Sequence, residues 1–246
     1  MENILNIKNM TFEYGDTIIF NNLNFVIKKG EFITILAANS KGKTTLAKLL
    51  VGKLKSNIKY YNKPLKPYKN IRIWDDKIES STSVINYLSK SCTSKVNLKK
   101  LIIEFQLADI LDAKASNINY ETKYIVKLAK ILLTNPEILI IDSTLSKINT
   151  PNQVIKVLKE YQKQGLTIIN ITSNEEEALY TKKTGIINKK TIKFYQTKQI
   201  ISDENKLKEA GLKLPFIIEL SNKLKLYNLI NKTYYTKESL VEELWK

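Results

Sequence analysis

The chain has 246 residues, 40 basic against 24 acidic side chains, no histidine and a single cysteine, for a formal charge of +16. That length can bury the core of one large mixed α/β domain, or of one domain with a smaller block inserted in it. The absence of histidine excludes imidazole bases, imidazole metal ligands and a histidine pH switch. A membrane-spanning helix is also excluded, because it needs about 18 consecutive apolar residues and the most hydrophobic stretch, Ile131 to Ile141, is broken by Asn135, Pro136 and Glu137. The start Met1-Glu2-Asn3 lacks the basic and apolar regions of a secretory signal, and with Cys92 alone this predicts a cytosolic location. Thirty-nine of the forty basic residues are lysine and only Arg72 is arginine. Bidentate reading of bases and phosphates favours arginine, whereas lysine acts as a point charge toward anionic lipid headgroups, so the charge points to a membrane surface and not to nucleic acid.

In chain order, the first fifty residues alternate as short strands do, with Ile4, Ile7 and Met10, then Leu23, Phe25 and Ile27, then Phe32 to Leu36. From Asp76 to Thr134 the spacing becomes helical, as in Leu101, Ile102, Phe105 and Ala108, then Ile125, Leu128 and Leu132. Two apolar runs, Ile138 to Ile141 and Leu166 to Ile169, read as buried parallel strands joined by an amphipathic helix carrying Val154, Val157 and Leu158. After Gly185 a short strand pair, Ile186-Ile187 and Ile192 to Phe194, precedes a helical tail rich in lysine and leucine that ends at Trp245. The organisation expected is therefore a strand layer with a first core segment over residues 1–75, a helical subdomain over 76–134, the rest of the core over 135–200 and a tail over 201–246.

The chemistry is concentrated after the strand Phe32 to Leu36. There the run Ala37-Ala38-Asn39-Ser40-Lys41-Gly42-Lys43-Thr44-Thr45 opens the apolar helix that begins at Leu46. A strand, a tight loop ending Gly-Lys-Thr and a helix together gather backbone N–H groups and a helix amino terminus around phosphates. Lys43 would reach the terminal phosphates and the Thr44 hydroxyl would ligate Mg²⁺. The pattern G-x-x-x-x-G-K-[ST] is one residue short, because Ala37 stands at its first glycine, and alanine resists positive backbone angles. Asp142 follows the run Ile138 to Ile141 at the carboxyl end of a buried strand, where ligands of open α/β sheets bind and where Mg²⁺ needs a second oxygen partner. Tyr14, just after Phe12, is a candidate platform for a base, though a half-buried strand aromatic explains it equally well.

These residues resemble a known family. Phe12-Glu13-Tyr14, Phe25 through Lys29-Gly30-Glu31 and Gly42-Lys43-Thr44-Thr45 look like the amino-terminal half of an ABC ATPase. Asn135-Pro136-Glu137 through Asp142 resembles the segment leading to that family's magnesium-binding aspartate, and Ile171-Thr172-Ser173-Asn174 through Ala178 resembles its switch region. The stretches Leu207 to Phe216 and Glu238 to Trp245 are similar to the carboxyl-terminal region of energy-coupling-factor transporter ATPases. The resemblance implies a P-loop NTPase fold with an antiparallel β layer, a mainly parallel core sheet and an inserted helical subdomain. It also implies ATP and Mg²⁺ as cofactors, bound by Tyr14, Asn39, Ser40, Lys41, Gly42, Lys43, Thr44 and Thr45, with Thr44 and Asp142 on the metal.

The resemblance breaks where the family hydrolyses nucleotide. Ser143 stands where the family has the glutamate that polarises the attacking water, Ser173 where it has the switch histidine, and Asp75 where its Gln-bearing loop follows Ile71-Arg72-Ile73-Trp74. The Leu-Ser-Gly-Gly-Gln signature would fall at Ile118-Asn119-Tyr120-Glu121-Thr122, with no glycine between Gly52 and Gly165, and Asn149 replaces the aspartate of the next loop. Loss of a general base alone costs ~10²–10⁴ in rate. The leading expectation is thus an ATP-binding subunit with little or no hydrolysis of its own and no catalytic residue to name. It would pair with a second ABC ATPase and sit under a transmembrane coupling protein at the cytoplasmic face of the membrane. The alternatives are a slow ATPase completed by a partner subunit and, last, a soluble relative associated with nucleic acid, which steeply salt-dependent binding would reveal.

Overall fold

The computed structural model describes residues 2–66, 70–75, 81–92, 94–149 and 151–245, so the boundary expected at Asp76 lies outside the described residues, as do Met1 and Lys246. In chain order the strands are β1 (Asn3–Tyr14), β2 (Thr17–Lys28), β3 (Phe32–Leu36), β4 (Lys59–Tyr60), β5 (Lys63–Pro64), β6 (Ile71–Trp74), β7 (Ile138–Asp142), β8 (Thr167–Thr172), β9 (Lys183–Asn188) and β10 (Thr191–Gln196). The helices are α1 (Lys43–Leu50), α2 (Val84–Ser89), α3 (Lys95–Glu104), α4 (Tyr120–Leu133), α5 (Pro151–Lys163), α6 (Thr197–Ile200), α7 (Glu204–Glu209), α8 (Phe216–Leu226) and α9 (Lys237–Leu244).

Two sheets result. The antiparallel one runs β2-β1-β4-β5, and the larger one runs β10-β9-β3-β8-β7-β6. In the larger sheet β9, β3, β8, β7 and β6 are parallel to their neighbours and β10 alone is antiparallel. Strands covered on both faces read as nearly continuous apolar runs, and β7 and β8 have that character. Their alternate residues enter different cores, as the two-residue period of a strand requires. Ile138 and Ile140 join Ile33, Ile35, Ile169 and Ile171 against α1 and the antiparallel sheet. Leu139, Ile141 and Ile168 join α4, α5 and the helical block on the other face. A third cluster gathers the tail around Leu36, Ala178 and Ile186.

The helical block forms through α4, whose start is capped by the Asn119 side chain accepting from Thr122 N–H at 2.8 Å. Trp74 is fully buried at the end of β6 and donates its indole N–H to the Tyr124 carbonyl at 3.0 Å, which ties the sheet edge to α4. One expectation needs correction. The strand placed after Gly185 begins at Lys183, because parallel pairing with β3 starts at Ile33 opposite Lys183. The tail over 201–246 is three short helices, α7 to α9, because Gly211, Pro215 and the stretch Tyr227 to Thr236 interrupt it.

One buried polar pair stands out in the sheet. Asn170 is fully buried in β8 and donates from Nδ2 to Glu177 Oε2 at 2.8 Å. The other oxygens of the two side chains, Asn170 Oδ1 and Glu177 Oε1, are buried without a hydrogen-bond partner. Burial pushes the Glu177 carboxyl up from 4.5 to about 6, against the opposing hydrogen bonds from Asn170 and Thr172. A protonated Glu177 could donate to the amide oxygen it faces, completing a cyclic acid–amide pair.

Because this carboxyl binds its proton more tightly in the folded than in the unfolded chain, the stability it confers is fully present below pH 4.5 and is lost as pH rises to about 6. The loss amounts to about 2 kcal/mol at ~1.4 kcal/mol per pH unit. Glu177→Gln, which keeps the shape and supplies a permanent N–H donor, should raise stability in urea denaturation at pH 8 by up to about 2 kcal/mol and by little at pH 4.5. Equal gains at both pH values would refute this account.

Candidate nucleotide-binding site

The loop between β3 and α1 is short and crowded. Its entry is pinned by a backbone hydrogen bond from Ala37 N–H to the Thr172 carbonyl at 3.0 Å, and Ala37 is fully buried. The expectation that alanine would be strained at this position does not hold, because Ala37 is not among the residues with positive φ. That conformation falls instead on Ser40, at φ 61°, and on Gly42, at φ 85°. At Gly42 glycine is required twice over. A Cβ there would meet Ile19 at 2.8 Å and Phe20 at 3.0 Å, both side chains of β2.

Gly42 caps α1 and offers no side chain to its free N–H groups, and no acidic residue lies in the helix's first turn. The amino-terminal partial charge of α1 is thus left uncompensated, which suits an anion. Lys43 arches over the loop, its ammonium donating to the carbonyls of Ala37 at 3.2 Å and Ala38 at 3.1 Å and to Asn39 Oδ1 at 3.3 Å. Burial lowers the Lys43 pKa, and the charge of Asp142 opposes that shift.

Asp142 ends β7 beside this loop. Burial raises its pKa, while the Thr44 hydroxyl and the Lys43 ammonium hold it down. Lys43 and Thr44 of α1 and Asp142 of β7 are thereby brought into one site by two separate segments. Asn39, Ser40 and Lys41 are exposed on the loop, and Thr45 is half-buried in the first turn of α1. Tyr14 stands apart in kind: it is 47% exposed at the hairpin tip, edge-on to Phe12 with ring centroids 5.0 Å apart. It belongs to the same hairpin as Ile19 and Phe20, which touch Gly42.

A second carboxylate accompanies Asp142. In the parallel register Trp74 lies opposite Ile141, so Asp75, the residue after β6, stands beside Asp142 at the end of β7. Asp75 raises the Asp142 pKa and is itself ion-paired with Lys127 of α4. The sequence carried a signal for this neighbour, since two apolar strands each end in aspartate, but strand order alone makes them adjacent. Among the described residues no group of three or more His, Cys, Asp or Glu side chains could hold a metal ion, so any metal here would depend on hydroxyl and phosphate oxygens as well.

The positions that resemble hydrolytic motifs are occupied by other contacts. Ser143 takes φ 54° and gives its N–H to the Ile171 carbonyl at 2.9 Å. Thr172 Oγ1 accepts from Asn174 N–H at 3.0 Å, which closes the turn around Ser173. At the start of α4 the Asn119 oxygen is spent on Thr122, and Glu121 accepts from Asn149 through both its N–H at 2.9 Å and its Nδ2 at 2.7 Å.

Residues 20–146 match the family model described as ABC transporter, which is just over half of the chain. The energy-coupling factor transporter ATP-binding protein EcfA1 of Fusobacterium nucleatum is 28% identical over 99% of both chains. The protein of the same description from Mycoplasma genitalium is 26% identical over 97% of this chain and 95% of its own. Among solved structures, cbiO1 from Clostridium perfringens, described as part of the ABC transporter complex cbiONQ, superposes with a TM-score of 0.73 at 22% identity, over 90% of this chain and 100% of that one. The MJ1267 ATP-binding cassette reaches 0.75 at 17% identity, covering 86% of this chain and all of its own. With the family model covering the loop before α1 and the helical block, and with relatives that run its whole length, the chain belongs to the ABC transporter family and has the fold of its ATP-binding cassettes.

Proposed function

We propose that the chain is the ATP-binding subunit of an energy-coupling-factor type importer, and that it holds Mg-ATP with little or no hydrolysis of its own. The observation that carries this reading is the contrast between two helix starts. At α1 the first turn is free of side-chain caps and acidic residues, with Lys43, Thr44 and Asp142 grouped around it. At α4 the cap is already satisfied by Asn119, and Glu121 places a carboxylate in the first turn. The first favours a triphosphate and the second repels one.

The residues of the first site fit a metal-chelated triphosphate. Lys43 would exchange three neutral loop acceptors for phosphate oxygens, while the Thr44 hydroxyl and the Asp142 carboxylate would hold Mg²⁺. The metal would neutralise the phosphate charge. Ser143 has no carboxylate to polarise a water, and Ser173 cannot take the role of an imidazole.

The similarity of the whole chain to energy-coupling factor ATP-binding proteins supports the transport setting, in which a second ABC ATPase and a transmembrane coupling protein would be the partners. Among the described residues no helix is long and apolar enough to cross a membrane, which is consistent with a subunit held there by others. The lysine-rich surface would meet anionic headgroups at the cytoplasmic face.

Equilibrium titration with ATP, with and without Mg²⁺, tests the retained half of the site. Binding should be metal-dependent in the parent and weakened at least about 100-fold in Lys43→Ala, which removes a charge-assisted contact worth roughly 3 kcal/mol. Asp142→Asn should bind ATP equally with or without Mg²⁺, since its metal partner is gone. A phosphate-release assay on the assembled transporter tests the lost half. Turnover at this chain's own site that Lys43→Ala abolishes would favour the slow-ATPase reading over ours.

A further inference from the structure

The carboxyl-terminal tail does more than extend the fold, because it packs directly under the phosphate loop. Leu36, the last residue of β3, is fully buried in the same apolar cluster as Leu207, Ala210, Leu212, Ile217 and Ile218 of the tail. One residue beyond the pinned Ala37, the loop meets Gly211, where a Cβ would lie 3.3 Å from that of Ala38. Gly211 also has φ 73°, so a side chain there would be strained and would push on the loop at once.

The turn after β8 grips the same tail segment from the other side. Glu175 accepts from Lys213 N–H at 2.7 Å, and Glu176 accepts from Phe216 N–H. The second contact is notable because the N-cap of α8 is Pro215, which supplies no side-chain cap, so a carboxylate from another segment caps the helix. This turn is continuous with Thr172, whose carbonyl holds Ala37 N–H. Asn174 keeps it compact by accepting from Glu176 N–H at 3.1 Å. The loop is therefore braced at Gly42 by the β2 side chains Ile19 and Phe20 and at Ala38 by Gly211. The tail segment is in turn fixed by two glutamates of the switch turn.

We propose that residues 207–216 form a built-in positioning element for the phosphate loop, with Glu175 and Glu176 as the positioning residues that clasp it and Gly211 as its point of contact. The clasp sets how well the loop amides converge on phosphate, and hence the affinity for nucleotide, although none of its members touches the nucleotide. The affinity part of this inference rests on the reading of the loop as an Mg-ATP site. Nucleotide binding and clasp closure are then reciprocally linked, so ATP also tightens the tail.

The test uses the full chain and two readouts. In the doubly substituted Glu175→Ala, Glu176→Ala chain, Mg-ATP affinity should fall about tenfold, and hydrogen exchange at the loop amides from Asn39 to Thr44 should quicken even without nucleotide. The double Glu→Gln chain keeps the accepting oxygens and should restore most of both. Leu240→Ala, which truncates a buried side chain of the same tail cluster away from the clasp, controls for simple loss of tail stability and should leave the affinity unchanged. Gly211→Val should act as the double alanine chain does. ATP affinity and loop exchange that are the same in the clasp variants as in the parent would overturn the proposal, as would an equal loss of affinity in Leu240→Ala. A parent that binds no Mg-ATP would instead overturn the functional reading, and the exchange measurement would then decide the clasp alone.

Discussion

The hydrogen bond from Ala37 N–H to the Thr172 carbonyl holds together everything that gives this chain a site. It continues the β3–β8 ladder by one residue past Leu36, so the loop before α1 and the turn after β8 start side by side. Both segments leave the sheet at its carboxyl edge, where β7 delivers Asp142, and parallel strands place all three there together. Buried on both faces, these strands have little freedom to shift register, and the spacing of Lys43, Thr44 and Asp142 inherits that rigidity.

On the proposed reading, this scaffold keeps one kind of chemistry and gives up another. Gripping a triphosphate needs N–H groups, an ammonium and oxygen ligands for a metal, all of which come from α1, its loop and the end of β7. Cleaving it needs a base and donors poised for the transition state. At those positions the structure holds contacts of ordinary fold stability: Ser143 on Ile171, Asn149 on Glu121, Asp75 on Lys127. The three glutamates after Asn174 show the same economy of roles in sequence. Glu175 and Glu176 reach outward to the tail, while Glu177 turns inward to Asn170.

Much of this was legible in the residues. The alternation in the first fifty positions, the apolar runs of β7 and β8 and the Gly-Lys-Thr ending of the loop each follow from local periodicity or local chemistry, which survive in one dimension. Less legible was where the strain would sit. Ala37 looked like the weak point because a motif glycine was missing, yet the left-handed residues of the loop are Ser40 and Gly42, while Ala37 continues the ladder. Strands β4 and β5, two residues each, carry no periodic signal at all.

By itself the sequence determined the class of fold, the Gly-Lys-Thr loop proposed to face phosphate and the absence of a histidine or a glutamate at the positions that resemble hydrolytic motifs, because these depend on residue type and near neighbours. Only the tertiary structure decided that Asp75 stands beside Asp142, that Glu177 is buried against Asn170 and that Gly211 supports Ala38. Gly211 and Ala38 are far apart along the chain, and what joins them is the order in which strands add to a sheet and the cluster that folds the tail beneath it, which no local pattern encodes.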